Sequence, residues 1–161
     1  MTFSPVPYID CYICEIEVLA SGNITSPTTA IPLGSILIDT GGQISVASNF
    51  ITFPANREYF VKANLTLLNV NDVNASAQPV FVDASNVPLS YQAGGDSASR
   101  TGAASGVWFS GVDCIMTLFS SASSRSAKIC LLGADVTYPM ATPYNDVTNY
   151  IPNGSITILY K

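Results

Sequence analysis

The sequence predicts an all-β fold, a single β-sandwich of jelly-roll type, and three observations carry the prediction. Stretches of two-residue hydrophobic alternation recur between turn signals, roughly eight to ten of them, and no segment shows a 3.6-residue apolar stripe. The clearest runs from Glu58 to Leu68, where Tyr59, Val61, Ala63, Leu65 and Leu67 share one face and Phe60, Lys62, Asn64 and Thr66 the other. Hydrophobic residues make up 48% of the 161 residues and charged residues only 11%, against ~25% in ordinary soluble domains. A chain of this length forms one domain and buries roughly 70% of the surface its unfolded state exposes. So few charges would protect the sheet edges of a monomer poorly, so assembly with further copies is expected.

Taken in order, residues 1–12 suit an extended arm, because Pro5 and Pro7 cannot donate to a ladder. Residues 13–161 form the sandwich. Cys14 to Val18 alternates as a first strand, and Asn23 to Pro32 is rich in turn formers. Ser35 to Asp39 places Ile36 and Ile38 on one face before a break at Gly41-Gly42. Ile44 to Ala47 gives a further short strand. Phe50 to Phe53 and Tyr59 to Leu67 read as adjoining strands around a Pro54-Ala55-Asn56 turn. After a polar connection, Pro79 to Asp83 and Pro88 to Tyr91 are short strands around a turn at Asn86. Ser90 to Gly106, with four glycines and many small residues, reads as a flexible loop at about 90–106. Val107 to Phe119 is a second long strand region, broken near Ser110-Gly111. Ser120 to Ser126 reads as a hairpin turn, Lys128 to Leu132 as its return strand, and Ser155 to Tyr160 as the closing strand.

Composition excludes several functions. The net charge is −5 and the six basic residues are scattered, so no nucleic-acid footprint forms. No apolar run reaches the length of a membrane-spanning helix, so no membrane insertion is expected. The opening MTFSPVPYID lacks the basic and apolar regions of a secretory signal, which makes the sequons at Asn23, Asn64, Asn74 and Asn153 chance matches. With no histidine in the chain, Ser-His-Asp and Cys-His catalysis cannot be built. Cys11-x-x-Cys14 would need Cys114 and Cys130 to complete a zinc site, and it reads as strand rather than as a redox motif on a helix. Asp72, Asp83, Asp96, Asp113 and Asp146 lack EF-hand spacing. Glu15 and Glu17 share a strand face and read as solvated edge charges. No enzyme activity, cofactor or metal is therefore expected.

Two surfaces are candidates for binding. Both faces of residues 112–119 are largely apolar, which suits an interior strand or one face held in an interface between subunits. Phe60, Leu68, Trp108, Ile115 and Phe119 are its candidate residues, with a core plug as the alternative for Trp108. Tyr138, Tyr144 and Tyr150, with Asn145 and Asp146, combine flat apolar rings and polar neighbours, which suits a sugar or a protein partner. The alternative is a proline-pinned loop that packs on its own domain or on a neighbouring subunit.

The order of Ile36-Leu37-Ile38, Gly41-Gly42, Phe50-Ile51-Thr52-Phe53-Pro54 and Tyr59-Phe60-Val61, with an apolar closing strand from Ile156 to Tyr160, resembles the C1q/TNF-like jelly roll. The resemblance covers residues 33–161. It departs at Asn56-Arg57-Glu58, where a glycine is usual, and in lacking a collagen-like stalk. It implies a homotrimer with one sheet of each subunit buried about a threefold axis. Microbial members of this kind occur in phage particles as capsid decorations, head fibres and tail-fibre tips. The expected function is a non-enzymatic virion protein, made in the host cytoplasm, that decorates or cements a phage capsid. Its partners would be its own copies and the major capsid protein or other virion subunits. The alternatives are a receptor-binding tip that recognises host surface glycan or protein, and a secreted adhesion or signalling domain.

Overall fold

The computed structural model describes residues 10–19, 23–24, 28–69, 76–89, 92–94, 97–98, 108–120, 122–132, 138–139 and 154–161. Among them there are strands and turns and no helix. The strands are β1 (Tyr12–Val18), β2 (Asn23–Ile24), β3 (Leu33–Asp39), β4 (Ser45–Ala47), β5 (Phe50–Phe53), β6 (Arg57–Asn69), β7 (Ser76–Val82), β8 (Gln92–Gly94), β9 (Ser97–Ala98), β10 (Trp108–Ser120), β11 (Arg125–Leu132), β12 (Tyr138–Pro139) and β13 (Gly154–Tyr160). They form two antiparallel sheets, six-stranded in the order β3-β1-β13-β6-β10-β8 and five-stranded in the order β4-β5-β11-β7-β9. β2 and β12 pair separately.

Alternation decides which residues meet between the sheets. Cys14, Ile16 and Val18 of β1, Tyr59, Val61, Ala63 and Leu65 of β6, and Ile156, Ile158 and Tyr160 of β13 are buried. From the other sheet they meet Ile51, Phe53, Phe81, Ala127 and Ile129. The long-strand reading therefore holds from Tyr59 to Leu65, while the Leu67 side chain lies outside the described residues. Ile31 and Pro32 tie the two sheets together, because Ile31 N–H donates to Ile129 and Leu19 N–H donates to Pro32.

Several expectations change. Phe50–Phe53 and Arg57–Asn69 follow each other in sequence but lie in opposite sheets. The Pro54-Ala55-Asn56 segment crosses the sandwich, with Asn56 at a left-handed φ of 58°. Phe53 meets Tyr59 edge-on across the core at 5.1 Å, and the Tyr59 hydroxyl donates to Pro54 C=O at 2.8 Å. β10 and β11 likewise lie in different sheets instead of forming a hairpin, since β10 pairs with β6 and β11 with β5 and β7. β10 is unbroken at Ser110-Gly111, where pairing with Leu67 and Thr66 carries it through.

Ile36 and Ile38 do not act as one face. The register of β3 on β1 shifts between Glu15 and Ile16, so that Leu37 is the extra residue of a bulge. Ile36 then packs on the core while Ile38 stays 45% exposed. Glu15 and Glu17 are not on an edge, because β1 lies between β3 and β13. Tyr12 belongs to the sheet, opposite Tyr160, rather than to an arm. Within 90–106, expected as a loop, β8 borders the six-stranded sheet and β9 the five-stranded one. Small residues suffice there because edge pairing needs only backbone groups. Of Pro88–Tyr91, the described part makes one bridge, Val82 to Pro88.

The register also divides the sandwich into two ends. Tyr12, Asp39, Phe53, Arg57, Val82, Ser120, Arg125 and Tyr160 terminate strands at one end, the Tyr12 end. Val18, Leu33, Phe50, Asn69, Ser76, Trp108, Leu132 and Gly154 do so at the other, the Gly154 end.

Candidate interaction surface

The two sheets differ on the faces they turn away from the core. On the five-stranded sheet, Val80 and Val82 of β7 and Cys130 of β11 point outward by alternation, yet all three are buried and form a cluster of their own. On the six-stranded sheet, several of the described outward side chains are exposed or half-buried. One row across it is Ile13, Leu159 and Phe60, with Leu159 37% and Phe60 42% exposed. The next row is Ile38, Glu15, Thr157, Lys62 and Ile115. A third is Glu17, Ser155 and Asn64. The ion pair between Lys161 and Glu58, 2.7 Å, closes the Tyr12 end, and this pairing raises the Lys161 amine. The face thus carries one apolar row, Ile13, Leu159 and Phe60, beside rows that mix Ile38 and Ile115 with polar and charged residues of both signs.

Of the predicted interface residues, Phe60 and Ile115 lie in adjacent rows of this face, exposed and half-buried respectively. Phe119 is placed in register opposite Glu58, Leu68 opposite Phe109, and Trp108 opposite Asn69. The side chains of these three lie outside the described residues. Sequence reasoning missed Ile13, Ile38 and Leu159. Ile13 and Leu159 were legible as the out-facing members of alternating strands, but only the ladder shows that they join Phe60. Of the predicted recognition residues, Tyr138 pairs through its backbone with Ile24. Tyr144, Asn145, Asp146 and Tyr150 lie outside the described residues.

Aromatic rings pack at one end of this sheet. The rings of Tyr12, Tyr160, Tyr59 and Phe53 form a column with centroid spacings of 5.3, 5.7 and 5.1 Å. Arg57 sits 5.8 Å from both the Tyr12 and the Tyr160 ring centroids. The Tyr160 hydroxyl donates to Asp39 Oδ1 at 2.6 Å, which Gly41 N–H also reaches at 3.2 Å, while Ile44 N–H donates to Oδ2 at 2.9 Å. Burial works to raise the Asp39 carboxyl, but the bonds from Tyr160, Ile44, Gly41 and Gly42 outweigh it and hold the group below its ordinary value. Gly41 is required here, since a Cβ would run into the Tyr160 hydroxyl. None of the acids singled out for calcium is Asp39, whose oxygens are committed to the fold.

The three buried thiols have no reactive setting. Cys14, Cys114 and Cys130 are fully buried, and Cys11 is exposed. Burial pushes Cys14 up to about 12, helped by Asp39 and Glu15, and Cys114 up to about 11. Cys14 lies on β1 and is buried, whereas Cys11 precedes the strand and is exposed. Among the described residues, no group of three or more Cys, Asp or Glu side chains could hold a metal.

No family model matches the chain, and no curated protein does. Among solved structures, the chain is similar to the globular domain of zebrafish complement 1qA protein. That likeness has 10% sequence identity and a TM-score of 0.46, and covers 94% of this chain and 96% of the other. The two-sheet architecture stands on the strand pairings themselves.

Proposed function

We propose that this protein is a non-enzymatic structural module of a virus particle. Three copies assemble through the outer face of the six-stranded sheet, and the assembly decorates or cements a phage capsid. The observation that carries the assembly is the difference between the two outward faces. The chain buries the apolar residues of the five-stranded face itself, but leaves Ile13, Ile38, Phe60 and Leu159 at the surface of the other. An apolar row on a sheet face is what a further copy would cover, and low charge across the whole chain supports the same reading. A stable interface of this kind buries roughly 1,200–2,000 Å², which one face of a six-stranded sheet can supply. The absence of histidine and the unreactive settings of the buried thiols support a role without catalysis.

Sedimentation velocity tests the assembly. The wild type should run as a trimer at micromolar concentration and Phe60→Asp as a folded monomer with unchanged circular dichroism. A wild-type monomer under those conditions overturns the assembly reading. The second reading, a receptor-binding tip, is favoured by one observation. Leu132 and Gly154, between which Tyr144, Asn145, Asp146 and Tyr150 fall in sequence, lie at the same end of the sandwich. Binding to a glycan array, lost in Tyr144→Ala and Tyr150→Ala, would establish it over the capsid role.

A further inference from the structure

The outward rows of the six-stranded sheet share one centre. β13 lies between β1 and β6, and its outward residues are Ser155, Thr157 and Leu159. Counted from Thr157, the middle row holds Glu15 and then Ile38 on the β1 side, and Lys62 and then Ile115 on the β6 side. Each side therefore offers one charge followed by one apolar residue, and the two charges have opposite signs. The row through Leu159 is apolar on both sides, with Ile13 on one and Phe60 on the other. In the row through Ser155, Glu17 stands across from Asn64, and Asp113 follows in register with its side chain outside the described residues. Ile38, Phe60, Lys62 and Leu159 are exposed, and Ile13, Glu15, Thr157 and Ile115 are half-buried.

We infer that the threefold axis of the assembly runs along β13, so that the β1 side of each copy packs on the β6 side of the next. This rests on the trimer reading above and adds to it the arrangement of the copies. A closed ring of three needs two different patches that fit each other, because a self-matching patch stops at two copies. Rotation about an axis parallel to the strands keeps the rows level. Ile13 then meets Phe60 of the next copy, Glu15 meets its Lys62, and Ile38 meets its Ile115. An axis across the strands would instead bring the Glu15 side chains together and set the Leu159 row against Glu17 and Asn64. Like charges brought together across an interface select against that arrangement. Side chains at the axis meet two copies of themselves and have the least room. Ser155 and Thr157 are small enough for that place, and Leu159 adds apolar surface at one end of it.

Cross-linking tests the arrangement. All variants carry Cys11→Ser, which removes the exposed thiol and leaves the three buried ones. A chain with both Glu15→Cys and Lys62→Cys is treated with a short bismaleimide and run on a denaturing gel beside each single variant. Within one chain the two sites lie two strands apart, about 10 Å, and a link there leaves the monomer mass unchanged. Links between copies give bands of two and three chains. The double variant should give a ladder that ends at three, and the single variants at least about tenfold less product, because like sites do not meet in such a ring. In sedimentation, Glu15→Lys should weaken the trimer at least about tenfold, and adding Lys62→Glu should restore it. Monomer-mass products alone from a double variant that sediments as a trimer, equal ladders from the single variants, or wild-type assembly by Glu15→Lys overturns the axis placement and leaves the trimer reading standing. A ladder that ends at two chains, or a wild type that sediments as a monomer, removes the trimer reading and this inference with it.

Discussion

Replacing Tyr160 by Phe removes one oxygen from the fold and isolates the bond that ties β13 to the turn after β3. Tyr160 is 1% exposed, so its hydroxyl finds no water when folded, and its partner Asp39 Oδ1 is 2.6 Å away. A hydrogen bond to a charged acceptor is worth about 1.5–3 kcal/mol. The lower half applies here, because Asp39 keeps the amides of Gly41 and Ile44 and is not left unsatisfied. The expected loss is about 2 kcal/mol, or a fall in melting temperature of about 4–8 °C for a domain of this size. The pH dependence identifies the cause. Asp39 has a folded pKa below its ordinary value of 3.8. Its contribution is complete above that value and is lost as pH falls through the lower folded pKa. Urea unfolding of wild type and Tyr160→Phe at matched protein concentration should show the full gap at about pH 6 and a narrowing gap toward about pH 2.5. A cost under about 0.5 kcal/mol, or a gap that does not change with pH, refutes the charge-assisted clasp.

Three further outcomes follow from the same geometry. Gly154 sits at φ 152°, and a Cβ there would run into the backbone carbonyl of Asn64, so Gly154→Ala should cost about 2–4 kcal/mol in urea unfolding. Asn49 holds a left-handed φ of 65° and its Oδ1 accepts Leu33 N–H at 3.0 Å, so Asn49→Ala should cost about 1–2 kcal/mol and Asn49→Gly less. Cys14 and Cys114 hold their protons more tightly when folded, so stability is complete below the ordinary thiol value of 9.0 and falls as pH rises toward about 12 and 11 respectively. Cys14→Ala should flatten that alkaline decline, measured as the urea midpoint between about pH 8 and about pH 10.5.

What the sequence made legible was set by the range of the interaction that encodes it. The strands around Tyr59, Cys114 and Ile156 were readable because alternation is local and each core face is uniformly apolar. Pairing was not, because whether Phe53 and Tyr59 share a sheet is decided by partners as distant as Arg125 and Tyr160. The bulge at Leu37 has no local signature, and it moved Ile38 from the core to the surface. The turn at Ser48-Asn49 was missed because both residues adopt left-handed φ, 49° and 65°, without the usual glycine. Asp39-Thr40-Gly41-Gly42 reads as an ordinary turn, and its role as the receiver of Tyr160 depends on a residue 121 positions away. Phe60 and Ile115 were found as exposed apolar residues in alternating strands, whereas Ile13 and Leu159 join them only through the ladder.

The place of β13 also bears on when the fold can form. It lies between β1 and β6, so residues 154–160 fill the middle of the six-stranded sheet. On a ribosome, β1 and β3 could pair early, and so could β6 and β10, but the two halves would present open edges to each other. Only when Tyr160 clears the exit tunnel can the gap close, and loop closure over more than a hundred residues delays it further. Until then each nascent chain exposes two strand edges flanking the same vacancy. Crowded polysomes would favour one chain supplying β13 to another, so swapped dimers are the expected misassembly of this protein at high expression.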